Sequence, residues 1–398
     1  MAGDLTRRVD LHSVARLDAL ALTAAIWFLA KLLRYAFPPL FGTIQDVYGV
    51  SNAVIGGAFS ALMLVYAGMQ FPSGALADRL GAGRVIAAGT AVGGVGAVSL
   101  LVDGPFALLV AGMLLFGLGT GAHKTVAVRL MARVYPARTG RALGVMDTVG
   151  ALGGVVAPAA VVLLLPDWRA LFVAGGVAAL GLAAAFLVRV PDREPDPPAD
   201  AGGDGGLRAY LAPFADPRFT AFAVAIVLFT FATGGVIAFL PLFLTDVAGL
   251  STGLAGTLYS ALFAGSVGQL LTGELSDRLP RLGVIVGTVA LTSVGIVGVV
   301  ATPALPVLAA AVVAFGVGNH GIIPVRGSYF MAAIPDDVAG GTLGVVRTTF
   351  MAASALAPAV VGVVADVADL TAAFVVLGVT MGVALLVLLG LLVAGDAE

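Results

Sequence analysis

The strongest constraint on this chain is a charged motif that occurs twice. Gly74-Ala-Leu-Ala-Asp78-Arg79-Leu80 and Gly273-Glu-Leu-Ser-Asp277-Arg278-Leu279 lie 199 residues apart in a chain of 398, and each stands between two long apolar segments. A repeat at half length, set among apolar segments, predicts two copies of one membrane unit. The repeat extends beyond the motif. Phe116-Gly-Leu-Gly119 matches Phe315-Gly-Val-Gly318 at the same offset. Gly144-Val-Met-Asp147-Thr148 matches Gly344-Val-Val-Arg347-Thr348 at an offset of 200, which Pro158 and Pro358 keep. One inserted residue in the second copy accounts for the change.

The segments around these motifs set the environment. Hydrophobic residues make up 60% of the chain and charged residues 11%, whereas soluble domains carry roughly 25% charged residues. A bilayer crossing takes about 20 apolar residues, and Gly and Pro interrupt the runs at about that interval. Twelve spans follow: 18–41, 53–74, 85–102, 105–129, 141–165, 169–189, 219–244, 252–275, 282–302, 305–330, 341–365 and 370–394. Six precede and six follow residues 191–206, a Pro-, Gly- and Asp-rich stretch with nothing to anchor a core, which reads as a flexible linker. The expected fold is an all-α membrane protein of two pseudo-symmetric six-helix bundles. Residues 1–190 form the N-terminal half, 191–217 a cytoplasmic linker and 218–398 the C-terminal half. At the end of the linker Leu207, Tyr210, Leu211 and Phe214 are expected to lie on the membrane surface as a short amphipathic turn.

Several function classes drop out. With no Cys, disulfides, thiol catalysis and Cys-based metal sites are excluded. There is no His-Glu-x-x-His run and no nucleophile elbow, so an enzyme is not expected. Gly117 to Thr125 has the glycines of a phosphate loop, but His123 precedes Lys124 and no strand leads into it. No metal, cofactor or nucleic-acid partner is expected. The basic start (Arg7, Arg8, Arg16) runs into a full-length span without a small-residue cleavage motif, so the first helix reads as a retained anchor. With the N-terminus in the cytoplasm, fifteen arginines fall inside and Arg169 alone outside. That bias predicts a multi-pass protein of the cell membrane with both termini cytoplasmic.

A charge near the bilayer centre costs roughly 2.5–3.5 kcal/mol, so each one needs a reason. The chain has two lysines, Lys31 and Lys124, and both lie in apolar helices, as do His123 and His320. Lys31 and Arg34 share a face near the middle of the first span. Either they face a water-filled cavity and bind an anion, or one pairs with Asp147 or with helix-end carbonyls. Arg suits carboxylate and phosphate because its planar fork bonds two oxygens. His123 and Lys124, being adjacent, are about 100° apart and are expected on different faces, with snorkelling of Lys124 as the alternative. In the tenth span Asn319 and His320 lie deep, His320 being either a packing residue or a proton-coupling group. Arg326 lies near the cytoplasmic end and is expected to snorkel.

These residues resemble the major facilitator superfamily. That family's loop between the second and third spans runs Gly-x-x-x-Asp-Arg/Lys-x-Gly and then basic residues. Gly74, Asp78, Arg79 and Gly81 match, and Arg84 is the displaced basic residue. In the second copy Pro280 replaces the last glycine. The family's fourth-span arginine is Met113 here, and Gly150, Gly153, Gly154 and Pro158 do not follow the drug-antiporter order. The resemblance implies alternating access around a cavity lined by the first, fourth, seventh and tenth helices. The charges on those helices are Lys31, Arg34, Lys124 and Arg326, all positive, and the seventh offers only neutral Phe229, Thr230 and Thr233. Such a cavity attracts anions.

The resemblance also places the fifth and eleventh helices beside the signature loops. Asp147 is therefore expected to engage the Arg278 loop and Arg347 the Asp78 loop, closing a cytoplasmic gate, unless Asp147 carries a coupling proton. The expected protein is a monomeric secondary transporter of a small organic or inorganic anion, coupled to protons or to a counter-anion. Its substrate-binding residues are Arg34, Lys31, Lys124, His123, Asn319 and His320. Its gate comprises Asp78, Arg79, Arg84, Asp147, Asp277, Arg278 and Arg347. Two alternatives stay open: a proton-coupled exporter of hydrophobic or cationic compounds with Asp147 as the proton site, and a transport-inactive sensor of the same fold.

Overall fold

The computed structural model describes residues 2–190, 207–302, 304–335 and 338–395, so most of the expected linker lies outside the described residues. Among the described residues twelve helices are long and apolar enough to cross a membrane. The spans are Arg16–Tyr48, Asn52–Leu80, Ala82–Ser99, Phe106–Val134, Pro136–Leu163 and Trp168–Arg189, then Pro217–Asp246, Thr252–Arg278, Arg281–Val300, Leu305–Ala333, Gly341–Val367 and Leu370–Ala394. Their number and order are those expected.

Their ends differ from the expected ones, for one physical reason. Hydropathy marks the part of a helix that sits in hydrocarbon, whereas the backbone ladder continues into water. The first span passes through a 3₁₀ turn at Pro38–Leu40 and resumes over Phe41–Tyr48. The second continues to Leu80. The duplicated motif is therefore no loop. Asp78 and Arg79 lie in the last helical turn, and the helix ends only at Gly81, whose φ of +91° suits a residue without Cβ. Asp277 and Arg278 likewise close the helix Gly268–Arg278.

Met1–Phe37 with Ala61–Asp200 form one compact unit, and Pro38–Ser60 with Ala201–Glu398 the other. Packing inside them repeats. In the first unit the first span packs on the fifth and the third on the fourth and sixth. In the second the seventh packs on the eleventh and the ninth on the tenth and twelfth.

The repeated Phe-Gly-x-Gly motif accounts for the matching contacts of the fourth and tenth spans. A Cβ at Gly117 would sit 2.7 Å from the Leu62 carbonyl oxygen, and one at Gly316 would sit 2.3 Å from that of Leu262. On a second buried face of the same helices, a Cβ at Gly119 would lie 2.1 Å from the Gly93 nitrogen, and one at Gly318 2.4 Å from Thr292 Oγ1. Each motif thus presses a helix against two neighbours at once, and the preceding Phe116 and Phe315 are buried. Small residues at such crossings replace the missing hydrophobic drive between helices in lipid with close van der Waals contact.

Two further contacts shape the second unit. The segment Leu207–Leu211 is a short helix and is tied to the eleventh span. Thr342 Oγ1 donates to the Tyr210 carbonyl at 2.9 Å, and the Tyr210 ring covers Gly341, where any Cβ would meet it at 2.3 Å. The missing side chain of Gly341 makes the seat. The helix beginning at Asn52 rests on Asp366, which accepts from the Asn52 and Ala53 amides at 3.0 and 2.9 Å.

Candidate functional site

In the first unit, Trp27, Lys31 and Arg34 follow one another at four- and three-residue steps on one face of the first span. Around the Trp27 ring gather Lys31 Nζ at 5.3 Å, Lys124 Nζ at 5.4 Å and Arg34 Cζ at 6.0 Å from the centroid. His123 stacks on the same ring, 5.8 Å between centroids at 18°. Arg34 is 3% exposed, and its guanidinium carbon lies 3.7 Å from the Tyr66 ring centroid. Among the described residues its one side-chain hydrogen bond is a long one, to Thr120 Oγ1 at 3.5 Å, and Nε has no partner. Lys124 pairs with Asp147, the single carboxylate at the cluster.

The fifth span makes this arrangement possible. A Cβ at Gly150 would lie 2.1 Å from Trp27 Cδ1, and one at Gly153 would lie 2.3 Å from the Phe28 carbonyl oxygen. The fourth span contributes a turn at Ala122, between the helices Phe106–Gly121 and His123–Val134. This corrects the expectation that His123 and Lys124 face apart. The turn and the reach of a lysine stem bring both to Trp27. Lys124 is held there by its ion pair with Asp147.

His123 is buried, and among the described residues neither ring nitrogen has a hydrogen-bond partner. A cavity of about 20 Å³, lined by Thr90, Thr120 and His123 among apolar residues, lies beside it. That is room for one water.

The second unit's residues are more dispersed. Asn319 is buried. His320 donates from Nδ1 to the Gly316 carbonyl at 2.8 Å and meets Phe263 edge-on, which is the packing arrangement. Arg326 lies over Phe350 at 5.4 Å, close enough to Arg347 for the two charges to interact. An aromatic face, then, and not the headgroup layer alone, takes the Arg326 charge.

The gate residues have partners other than those expected, each within its own unit. Asp147 pairs with Lys124, Asp78 with Arg129 at 2.7 Å, and Arg278 with Glu274 one turn back at 2.5 Å. Arg129 also donates to the Gly74 carbonyl at 3.4 Å, so it clamps the first copy of the motif. Arg79, Arg84, Asp277 and Arg347 are exposed. In each pair the nearest opposite charge lies on a neighbouring helix or turn. Trp27, Tyr66 and Arg129 were not singled out from the sequence. The four-residue step from Trp27 to Lys31 was the available signal for the first. Among the described residues no group of three or more His, Asp or Glu is placed to hold a metal.

The Major Facilitator Superfamily model matches residues 23–267 and 251–397. The chain is 28% identical over 283 residues to the probable sulfoacetate transporter SauU of Cupriavidus necator, covering 65% of this chain and 64% of that protein. It is 30% identical over 198 residues to the 4-hydroxybenzoate transporter PcaK of Pseudomonas aeruginosa, covering 48% of this chain and 41% of that protein. The matches thus span less than two thirds of either relative's length. In fold it is similar to the nucleoside transporter NupG (TM-score 0.80, 14% identity, 95% of this chain and 99% of that one). It is also similar to a bacterial homologue of the lysosomal transporter Spinster (TM-score 0.76, 16% identity, 94% and 96%). Twelve spans, a packing pattern repeated in two units and a family match along nearly the whole sequence converge: the chain belongs to the Major Facilitator Superfamily, a family of multi-pass membrane transporters and not of enzymes.

Proposed function

We propose that this protein is a secondary transporter of small organic anions, with Lys31, Arg34 and Lys124 as its anion-binding groups. The observation that carries the reading is the gathering of three cations within 6.0 Å of one indole centroid, against a single carboxylate. Cations gathered this closely, one of them buried and two half-buried, repel one another, and an anion relieves that repulsion on binding. The names of the relatives fit: sulfoacetate and 4-hydroxybenzoate are both anions at neutral pH. His123, buried beside the cations, shapes the same site; in the second unit Asn319 and His320 are the polar groups of the tenth span that remain candidates for substrate contact.

In this reading the two halves, 1–190 and 218–398, alternate access around the site. Asp78, Arg79, Arg84, Asp277, Arg278 and Arg347 act at the cytoplasmic ends of the helices. Asp147 pairs with Lys124 at this site and is the coupling group if transport is proton-driven. The protein acts as a monomer in the cell membrane, with both termini cytoplasmic.

The test is competition for uptake in proteoliposomes under an imposed pH gradient. Small carboxylates and sulfonates are expected to compete, and Arg34→Ala to abolish the competition. Competition by lipophilic cations, unaltered in Arg34→Ala, would overturn the reading.

A further inference from the structure

We propose that Trp27 is a positioning residue: its ring sets the spacing of Lys31, Arg34 and Lys124 and so tunes the site to a compact oxyanion head, a carboxylate or sulfonate. The proposal rests on the anion site described above and assigns it a determinant that carries no charge. Asp147 can neutralise only one of the three cations, and it is taken by Lys124. The indole is the group that all three share, at 5.3, 5.4 and 6.0 Å from its centroid. An aromatic face attracts cations through its quadrupole and needs no counter-charge. It can therefore hold cations close together and still leave their field directed at a ligand.

The ring itself is fixed. His123 stacks on it at 5.8 Å, and the edge carrying Cδ1 and Nε1 is seated on Gly150, where a Cβ would lie 2.1 and 2.5 Å from those two atoms. The indole N–H, buried and without a partner, faces that seat. It is the shape of the ring, and not its donor, that acts. A cation cluster already spaced for its ligand needs no rearrangement when the ligand arrives, which is the condition for tight binding at low ordering cost.

The experiment measures KM and kcat for uptake of sulfoacetate and of 4-hydroxybenzoate into proteoliposomes. Trp27→Phe, which keeps an aromatic plate, is expected to raise KM by no more than about threefold. Trp27→Leu is expected to raise it about tenfold or more with a smaller change in kcat, and Gly150→Ala, which displaces the ring, to follow Trp27→Leu. The chain has two tryptophans, so in Trp168→Phe the remaining fluorescence reports Trp27. Titration with the transported anion is expected to change that emission saturably, with a midpoint near KM. Trp27→Leu with wild-type KM, or silent Trp27 fluorescence during saturable uptake, would overturn the role of Trp27 and leave the anion site standing. Failure of the wild type to take up either anion would overturn the anion reading and this inference with it.

Discussion

Arg34→Lys keeps the charge of the site and removes its shape. The guanidinium carbon lies 3.7 Å from the Tyr66 centroid in a side chain that is 3% exposed. A lysine there keeps a cation beside Tyr66 but loses the planar fork that grips two oxygens of an oxyanion, and the second charge-assisted hydrogen bond to the substrate is worth about 2 kcal/mol. Two kcal/mol corresponds to roughly thirtyfold in affinity. The expected result is a KM about thirtyfold above wild type in Arg34→Lys with a smaller change in kcat, and a greater loss in Arg34→Ala, which removes the charge as well. Uptake of the best-competing anion into proteoliposomes, normalised to folded protein, measures both. Thermal unfolding supplies a second readout, because an anion at a hundred times its dissociation constant stabilises the folded state by about 2.7 kcal/mol. The same concentration should therefore shift Tm clearly in the wild type and little in Arg34→Lys. An Arg34→Lys protein within threefold of the wild-type KM would refute two-oxygen recognition by the guanidinium, and equal KM values for the Lys and Ala variants would refute any contact between the charge and the substrate.

Asp147→Asn releases Lys124 and adds to the positive field of the cluster, so KM for the anion is expected to fall. A protein that instead loses proton-driven uptake while keeping anion exchange would make Asp147 the proton carrier. Gly119→Ala and Gly318→Ala place a methyl 2.1 Å from the Gly93 nitrogen and 2.4 Å from Thr292 Oγ1. Each is expected to destabilise by about 1–3 kcal/mol and to lower Tm and monodisperse yield, whereas Gly144→Ala, which meets open space, leaves both unchanged. Asp366→Ala removes the acceptor from the Asn52 and Ala53 amides. Loss of a helix cap costs about 1 kcal/mol, so hydrogen exchange at residues 52–55 should quicken by roughly fivefold, and unchanged exchange there would dismiss the cap.

The parts of this protein that the sequence made legible are those a bilayer imposes on every chain. Twelve apolar runs are readable because hydrocarbon demands a full-length apolar helix. Lys31, Arg34 and Lys124 are readable because a charge in such a helix is costly and so draws notice. The helix ends were misplaced wherever hydrogen bonding outlasts hydropathy, as at Asp78 and Arg79, which sit in a helical turn and not in a loop. The facing of His123 and Lys124 was misjudged because a straight helix was assumed across Ala122, where the structure turns.

Trp27 and Tyr66 escaped for a deeper reason. A cation balanced by an acid leaves two charged letters in the sequence, as Lys124 and Asp147 do. A cation balanced by an aromatic face leaves one, and its partner merges with the 60% of residues that any membrane helix needs. Two of the three cations here, Lys31 and Arg34, are of that second kind. An excess of unpaired cations in an apolar helix is therefore itself the signal to search one and two turns away for the aromatic that holds them, and from Arg34 and Lys31 that search leads back to Trp27.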